Sequence, residues 1–370
     1  MADIRIDKLA ELLVNYSVSV RPGDKVAILG ENSAEPLYKA IYVRILQAGG
    51  HPVFFTSPDG INELLYRYAS DEQLKHIPPP VKRVYETYDV LISIGGEQNT
   101  KALTNVDPAR MVMRQQARTE LRKNFLERFA RGEVRWTYAL YPTSAYAQDA
   151  EMSLSDYEDF VYSACLGDID DPIGHWKRFS AHQQKIVEWL KGKKNIHITA
   201  PETDLAFSVA GRSFINCDCH ENVPDGEVFT GPIEDSMNGH VYFPYPAIEN
   251  GHEVTGIRLW FENGRVVKAS AEKNEDFLLK TLDTDEGARR VGEFAFGTNE
   301  MISRFTGQIL FDEKIGGSFH LALGAGFPET GGKNISAIHW DMICDMRQNG
   351  EATVDGQLFY KNGRFMIPLD

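Results

Sequence analysis

Residues 316–341 read GGSFHLALGAGFPETGGKNISAIHWD, and they set two periodicities side by side: two short apolar runs of strand character, separated by a glycine-rich connection. In SAIHWDMIC, His339 and Asp341 stand two apart, so a strand puts both on one face and turns Trp340 and Met342 to the other. SFHLALG reads as a second strand with His320 near its middle. An imidazole and a carboxylate converging from one strand face, joined by a second imidazole, suit a borderline divalent cation such as zinc, cobalt, manganese or iron. By itself a His-x-Asp in a strand is more often a hydrogen-bonded core pair, because an acid satisfies a buried imidazole. The GAG and TGGKN segments also read as tight turns that need positive φ.

Working outward from that stretch, the chain divides by texture. The first half alternates helix and strand signals. A helix over about 4–16 brings Leu9, Leu12, Leu13 and Tyr16 to one side, and the turn RPGD leads into the strand KVAILG. A helix over about 35–48 stops at Gly49 and Gly50 before the strand PVFFTS. VLISIGG follows a triple proline, and one long charged helix over about 108–132 precedes RWTYALYP. Helices alternating with buried strands predict an α/β domain with a mainly parallel sheet covered on both faces, assigned to residues 1–193. Its strand-to-glycine junctions GENSAEP and GGEQNT match neither G-x-G-x-x-G nor the P-loop pattern, so this half reads as scaffold rather than as a nucleotide site.

A helix over about 175–191 and the basic turn KGKKN close that half. Short strands then dominate: NIHITAP, DLAFSVAG, EVFTGP and HVYFPYP, followed by two hairpins whose turns hold Asn263-Gly264 and Asn362-Gly363. Residues 194–370 are therefore expected to form a β-rich α+β domain that carries the metal site.

Composition narrows the function. A length of 370 residues exceeds one average core. Four cysteines, scattered at 165, 217, 219 and 344, do not make a disulfide framework and point to a reducing compartment. The start, MADIRIDKLAELL, reads as an amphipathic helix rather than a signal peptide, and no apolar run reaches the ~20 residues of a membrane span. The expected location is the cytoplasm. A net charge of −14 disfavours nucleic acid, whose phosphates would be repelled, and is compatible with a substrate bearing a free amine.

Five blocks, CHENVPDGEVFTGP (219–232), VGEFAFGTN (291–299), LFDEK (310–314), SFHLALGAGFPET (318–330) and AIHWDM (337–342), come in an order that resembles the aminopeptidase T, aminopeptidase S and PepS group of metallopeptidases. The resemblance implies that Glu227, Glu293, Glu313, His320, His339 and Asp341 surround two divalent ions, of zinc, cobalt, manganese or magnesium. Four carboxylates and two imidazoles exceed what one catalytic ion with an open water position needs, and they suit a pair sharing a bridging carboxylate, Glu293 or Glu313. Taken singly, Glu227 reads as a turn residue, Glu293 as a costly buried acid and Glu313 as a surface charge. The resemblance further implies hydrolysis of N-terminal residues from short peptides by a homodimer that encloses a cavity.

In one place the chain departs from the family. Phe327 stands where the family usually has a tyrosine reaching toward the metals, so the ring is kept and a hydroxyl donor is lost. Cys217 and Cys219, in NCDCHE, read as structural thiols rather than as a thiolate site with His220. Two other readings stay open. One is a single-iron ring-opening dioxygenase on a similar scaffold, for which two histidines and one acid suffice. The other is a peptide-binding relative whose catalysis lapsed with the tyrosine.

Overall fold

Valine, isoleucine and leucine packed into Val26–Ile28 and Val90–Ile92 leave these strands fully buried, as a sheet covered on both faces requires. The computed structural model, which describes residues 3–249 and 251–369, pairs them in a five-stranded sheet. Its order is His51–Ser57, Lys25–Glu31, Val90–Gly95, Arg135–Leu140 and Asn222–Val223, and every pairing is parallel. The helices between them are the crossovers that parallel strands need.

Two details differ from expectation. The long charged helix is two, Pro108–Ala117 and Thr119–Ala130, because Arg118 at the junction has φ −93° and ψ −2° and its amide caps back onto the first helix. The fifth strand, Asn222–Val223, comes from far along the chain, and its two residues are too few to show a period.

The chain separates into two compact units. One comprises residues 1–175 and 219–224, the other 176–218 and 225–370. The division therefore does not fall at the expected 193/194. The helix Pro172–Leu190 supplies Ile186 and Leu190 to the hydrophobic core of the second unit, so most of it belongs there.

That second unit holds two larger antiparallel sheets. The eight-stranded one runs in the order Arg265–Ser270, Ile257–Glu262, Asn238–Phe243, Thr203–Ser208, Asn195–Ala200, Glu351–Val354, Gln357–Lys361 and Arg364–Phe365. Both expected Asn-Gly turns are present with positive φ at each residue, 48° and 75° at Asn263-Gly264 and 48° and 80° at Asn362-Gly363, which matches the right-handed twist of the flanking strands. The five-stranded sheet runs His339–Asp345, Ser318–Gly324, Val291–Gly297, Glu227–Thr230 and Ile215–Cys217. One face of it, with Phe294, Phe296, Phe319, Leu321, Leu323, Trp340, Met342 and Val228, joins the core of the unit. The other face is the subject of the next section.

Candidate metal centre

Strand register alone gathers the candidate ligands. Asp341 pairs with Ala322, which pairs with Glu293; His320 pairs with Ala295, which pairs with Phe229; Glu227 pairs with Gly297 on one side and Cys217 on the other. With a period of two, His339, Asp341, His320, Glu293 and Glu227 all project from the face opposite the aromatic core. Small partners on that face, Ala322, Ala295 and Gly297, leave room for the polar groups. The alternation His-Leu-Ala in the middle strand thus encodes a polar ligand beside a vacant-sized neighbour, while Phe319, Leu321 and Leu323 anchor its back.

The geometry is tight. His320 Nε2 lies 3.6 Å from Glu227 Oε2, 3.8 Å from Glu293 Oε1 and 3.8 Å from Asp341 Oδ1. His339 Nε2 lies 3.2 Å from Glu293 Oε2 and 3.7 Å from Asp341 Oδ2. Glu293 and Asp341 therefore each turn one oxygen to each imidazole. Glu313 groups with His320 and Asp341. Of the two acids expected to be shared, Glu293 faces both imidazoles, and Asp341, which sequence reasoning did not single out for this, faces both too.

Each imidazole is aimed from behind. His320 Nδ1 donates to the Glu313 carbonyl and His339 Nδ1 to the Ala325 carbonyl, both at 2.9 Å, which turns the two Nε2 atoms inward, where loss of their protons would expose ligand lone pairs. The glycines in this region serve that arrangement. Gly324, at φ 103°, ends the middle strand so that the Ala325 carbonyl swings toward His339, and a Cβ on Gly292 would lie 2.3 Å from that carbonyl oxygen. Glu313 follows the short helix Ile309–Asp312, which is tied down by Asp312 accepting from the Thr306 amide and hydroxyl at 2.7 and 2.8 Å.

Burial makes the cluster electrostatically demanding. His320 is 1% exposed, Glu227 8% and Glu293 7%, while His339, at 32%, is the more exposed of the two imidazoles. Glu227 Oε2 and Asp341 Oδ1 are buried without a hydrogen-bond partner. Burial opposes charge on His320, but hydrogen bonding to Glu293 and the charges of Glu227, Glu293 and Asp341 outweigh it and push the imidazole up to about 10. His339 is likewise pushed up to about 10, against its burial, by Asp341 and Glu293. Burial and neighbouring acids raise Asp341 to about 6 and lift Glu227 above the usual carboxylate range. The protein's own charges thus favour added positive charge here. Unpartnered buried oxygens, inward Nε2 atoms and a donor set of oxygens and nitrogens fit a divalent cation.

Because both imidazoles hold protons through neutral pH, metal and proton compete. Loading a divalent metal at pH 7 is expected to expel protons from the imidazoles, and affinity should climb with pH and fall in acid. Calorimetry in buffers of different ionisation enthalpy measures the release; no proton exchange would contradict the picture.

Four nearby side chains were not assigned to the site beforehand. Lys314 is fully buried and ion-pairs with Glu313. Asp225 and Cys217 lie with Glu227, each offering a donor atom within 4.8 Å of the others. Glu249 ends the strand Ala247–Glu249, which packs on the His339 strand, and burial together with Asp341 raises its carboxyl to about 7. Lys314 sits beside Glu313 in FDEK and Asp225 stands two residues before Glu227 in PDGEVFT, so adjacency to a ligand was the available signal. Phe327 packs edge-on to His339 at 5.2 Å and to Phe229 at 5.3 Å between ring centroids. Cys217 groups with Asp225 and Glu227, and the His220 ring lies 4.7 Å from that of Tyr16.

Comparison with known proteins places this geometry in context. The model of the thermophilic metalloprotease (M29) family matches residues 2–365. Aminopeptidase 2 of Geobacillus stearothermophilus is 28% identical, over 98% of this chain and 98% of the relative. Aminopeptidase T of Thermus thermophilus is 27% identical, over 97% and 95%. Among solved structures, wild-type AmpT from Thermus thermophilus superposes with a TM-score of 0.87 at 24% identity, covering 98% of this chain and 99% of that one. The 2,5-dihydroxypyridine dioxygenase of Pseudomonas putida KT2440 shares the fold at a TM-score of 0.64 and 13% identity, over 98% and 97%. Among the described residues no helix is long and apolar enough to cross a membrane.

Proposed function

The chain belongs to the thermophilic metalloprotease (M29) family of peptide-bond hydrolases, and from that premise we propose that it is an aminopeptidase working through a dinuclear divalent-metal centre. One observation carries the reading: Glu293 and Asp341 each turn one oxygen to His320 and one to His339, the disposition expected of carboxylates shared between two ions. Glu227 and Glu313 would complete the set on the His320 side. The four carboxylates then match the charge of two divalent cations.

The chemistry such ions supply is acidification of water toward a pKa of ~7 and polarisation of the scissile carbonyl. The chain's own residues do the rest. His320 and His339 keep Nε2 directed inward because their Nδ1 protons are spent on backbone carbonyls, so that release of the Nε2 proton would free the lone pair for a metal. The aromatic floor behind the sheet keeps bulk water from the rear of the cluster and strengthens its electrostatics. The Glu249 carboxylate, held near neutrality, is suited to carry a proton to the leaving amine. The acidic surroundings favour a substrate with a free N-terminal ammonium, and short peptides cleaved by a cytoplasmic homodimer are the corresponding substrates and assembly.

Incubating the metal-loaded protein with a panel of amino-acyl anilides and short peptides should release N-terminal residues. Absence of turnover with every divalent metal tried would remove the proposal. One tightly held iron per chain with oxygen uptake would instead favour the dioxygenase reading.

A further inference from the structure

The group that aims His339 comes from a loop. Its Nδ1 donates to the Ala325 carbonyl at 2.9 Å, and Ala325 stands between Gly324 and Gly326. Glycine on both sides puts little steric restraint on the neighbouring peptide units, so hydrogen bonds have to fix the direction of that carbonyl. The Ala325 carbonyl and the Gly326 amide belong to one planar peptide unit, and that amide donates to the Asn334 carbonyl at 3.0 Å. The preceding unit is held as well: the Ala325 amide donates to the Ile338 carbonyl at 2.8 Å, and Asn334 Nδ2 donates to the Gly324 carbonyl at 2.5 Å. Asn334 Nδ2 also donates to the Gly287 carbonyl at 2.9 Å, which ties the residue to the body of the unit.

Residues 325–333 thus form a compact loop whose two ends meet at Asn334. Its outgoing leg is fastened from outside. The Lys333 amide donates to Glu234 Oε1 at 2.7 Å, and Glu234 Oε2 accepts from Arg212 Nη2 at 2.6 Å, from a guanidinium that is only 5% exposed. His320 has no share in this arrangement, since its Nδ1 donates to the Glu313 carbonyl, just past the helix Ile309–Asp312. We infer that Asn334 is a positioning residue for His339: it locks the peptide unit that receives the Nδ1 proton, and so keeps Nε2 aimed at Glu293 and Asp341, while Glu234 holds the leg of the loop that delivers Asn334. The inference rests on the reading of His339 as a metal ligand given above.

Nitrogen-15 histidine NMR of the full chain, metal-free and zinc-loaded, tests it without recourse to turnover, because it reads the two Nδ1 protons separately; His320→Gln and His339→Gln assign them. The unaltered protein should show both as slowly exchanging ring protons. Asn334→Ala should make the His339 proton exchange roughly tenfold or more faster, leave that of His320 unchanged, and lower zinc affinity by about 10- to 100-fold. Asn334→Asp, of the same size but with no donor for the two carbonyls, should do the same. An unaltered protein whose His339 proton exchanges freely overturns the inference, as does a folded variant whose two ring protons exchange as before or loosen equally. Circular dichroism verifies folding, and if neither variant folds, Glu234→Ala, which frees the Lys333 amide from outside the loop, is read by the same criterion. A protein that binds no zinc, while Asn334→Ala still frees the His339 proton alone in the metal-free state, sinks the two-ion reading and leaves the role of Asn334 standing.

Discussion

Replacing Glu293 with glutamine is expected to lower kcat/KM by at least about 10³ and to reduce the number of tightly bound metal ions per chain. The side chain keeps its size, but one of the two oxygens that face His320 and His339 becomes an amide nitrogen and the shared charge disappears. Lewis-acid and charge stabilisation by a bound metal contributes several kcal/mol to such a reaction, and ~4 kcal/mol corresponds to that factor in rate. Its neighbours on the sheet, Ala322 and Thr230's partner Phe294, are unaffected by the change, so the fold should persist. Kinetics and bound-metal analysis on the same sample check both halves. A variant within tenfold of the unaltered protein, with two ions still bound, would contradict the shared role of Glu293.

Phe327→Tyr is expected to act in the opposite direction. The ring already meets His339 edge-on at 5.2 Å, on the more exposed side of the cluster, and a hydroxyl added there supplies one more donor near the reacting carbonyl. A single preorganised donor of this kind is worth about 2.7–4 kcal/mol in the transition state, or about 10²–10³ in kcat. The gain should appear in kcat with little change in KM, because a donor used only in the transition state does not tighten ground-state binding. No gain would mean that Phe327 does not occupy the position of the family's tyrosine, or that the chain has given up hydrolysis for peptide binding.

How far these residues could be read from the chain follows from the range of the forces that place them. SFHLALG and HWDMIC carry their own answer, since a period of two assigns Phe319, Leu321, Trp340 and Met342 to the core and His320, His339 and Asp341 to the other face with no knowledge of the partner strands. Asn-Gly turns are equally local, because their positive φ is a property of two residues. The parallel sheet was legible from its alternation of buried strands with helices, and the β-rich second half from its short strands. Asn222–Val223 was not, because two residues display no period and the pairing with Arg135–Leu140 is set by tertiary contacts. The break at Arg118 lies within a continuous helix-forming run, where propensity gives no boundary. Lys314 and Asp225 look like solvated charges in FDEK and PDG, and only the folded structure shows them to be buried. The resemblance to a family supplied Glu227, Glu293 and Glu313 for the same reason: their spacing along the chain holds no hint of their nearness in space.

The most direct measurement is an anomalous-difference map from crystals of the metal-loaded protein, recorded at the absorption edge of the added metal. Two peaks per chain are predicted between His320 and His339, with Glu293 in contact with both. A single peak, or a pair of ions with Glu293 turned away from them, would contradict the account.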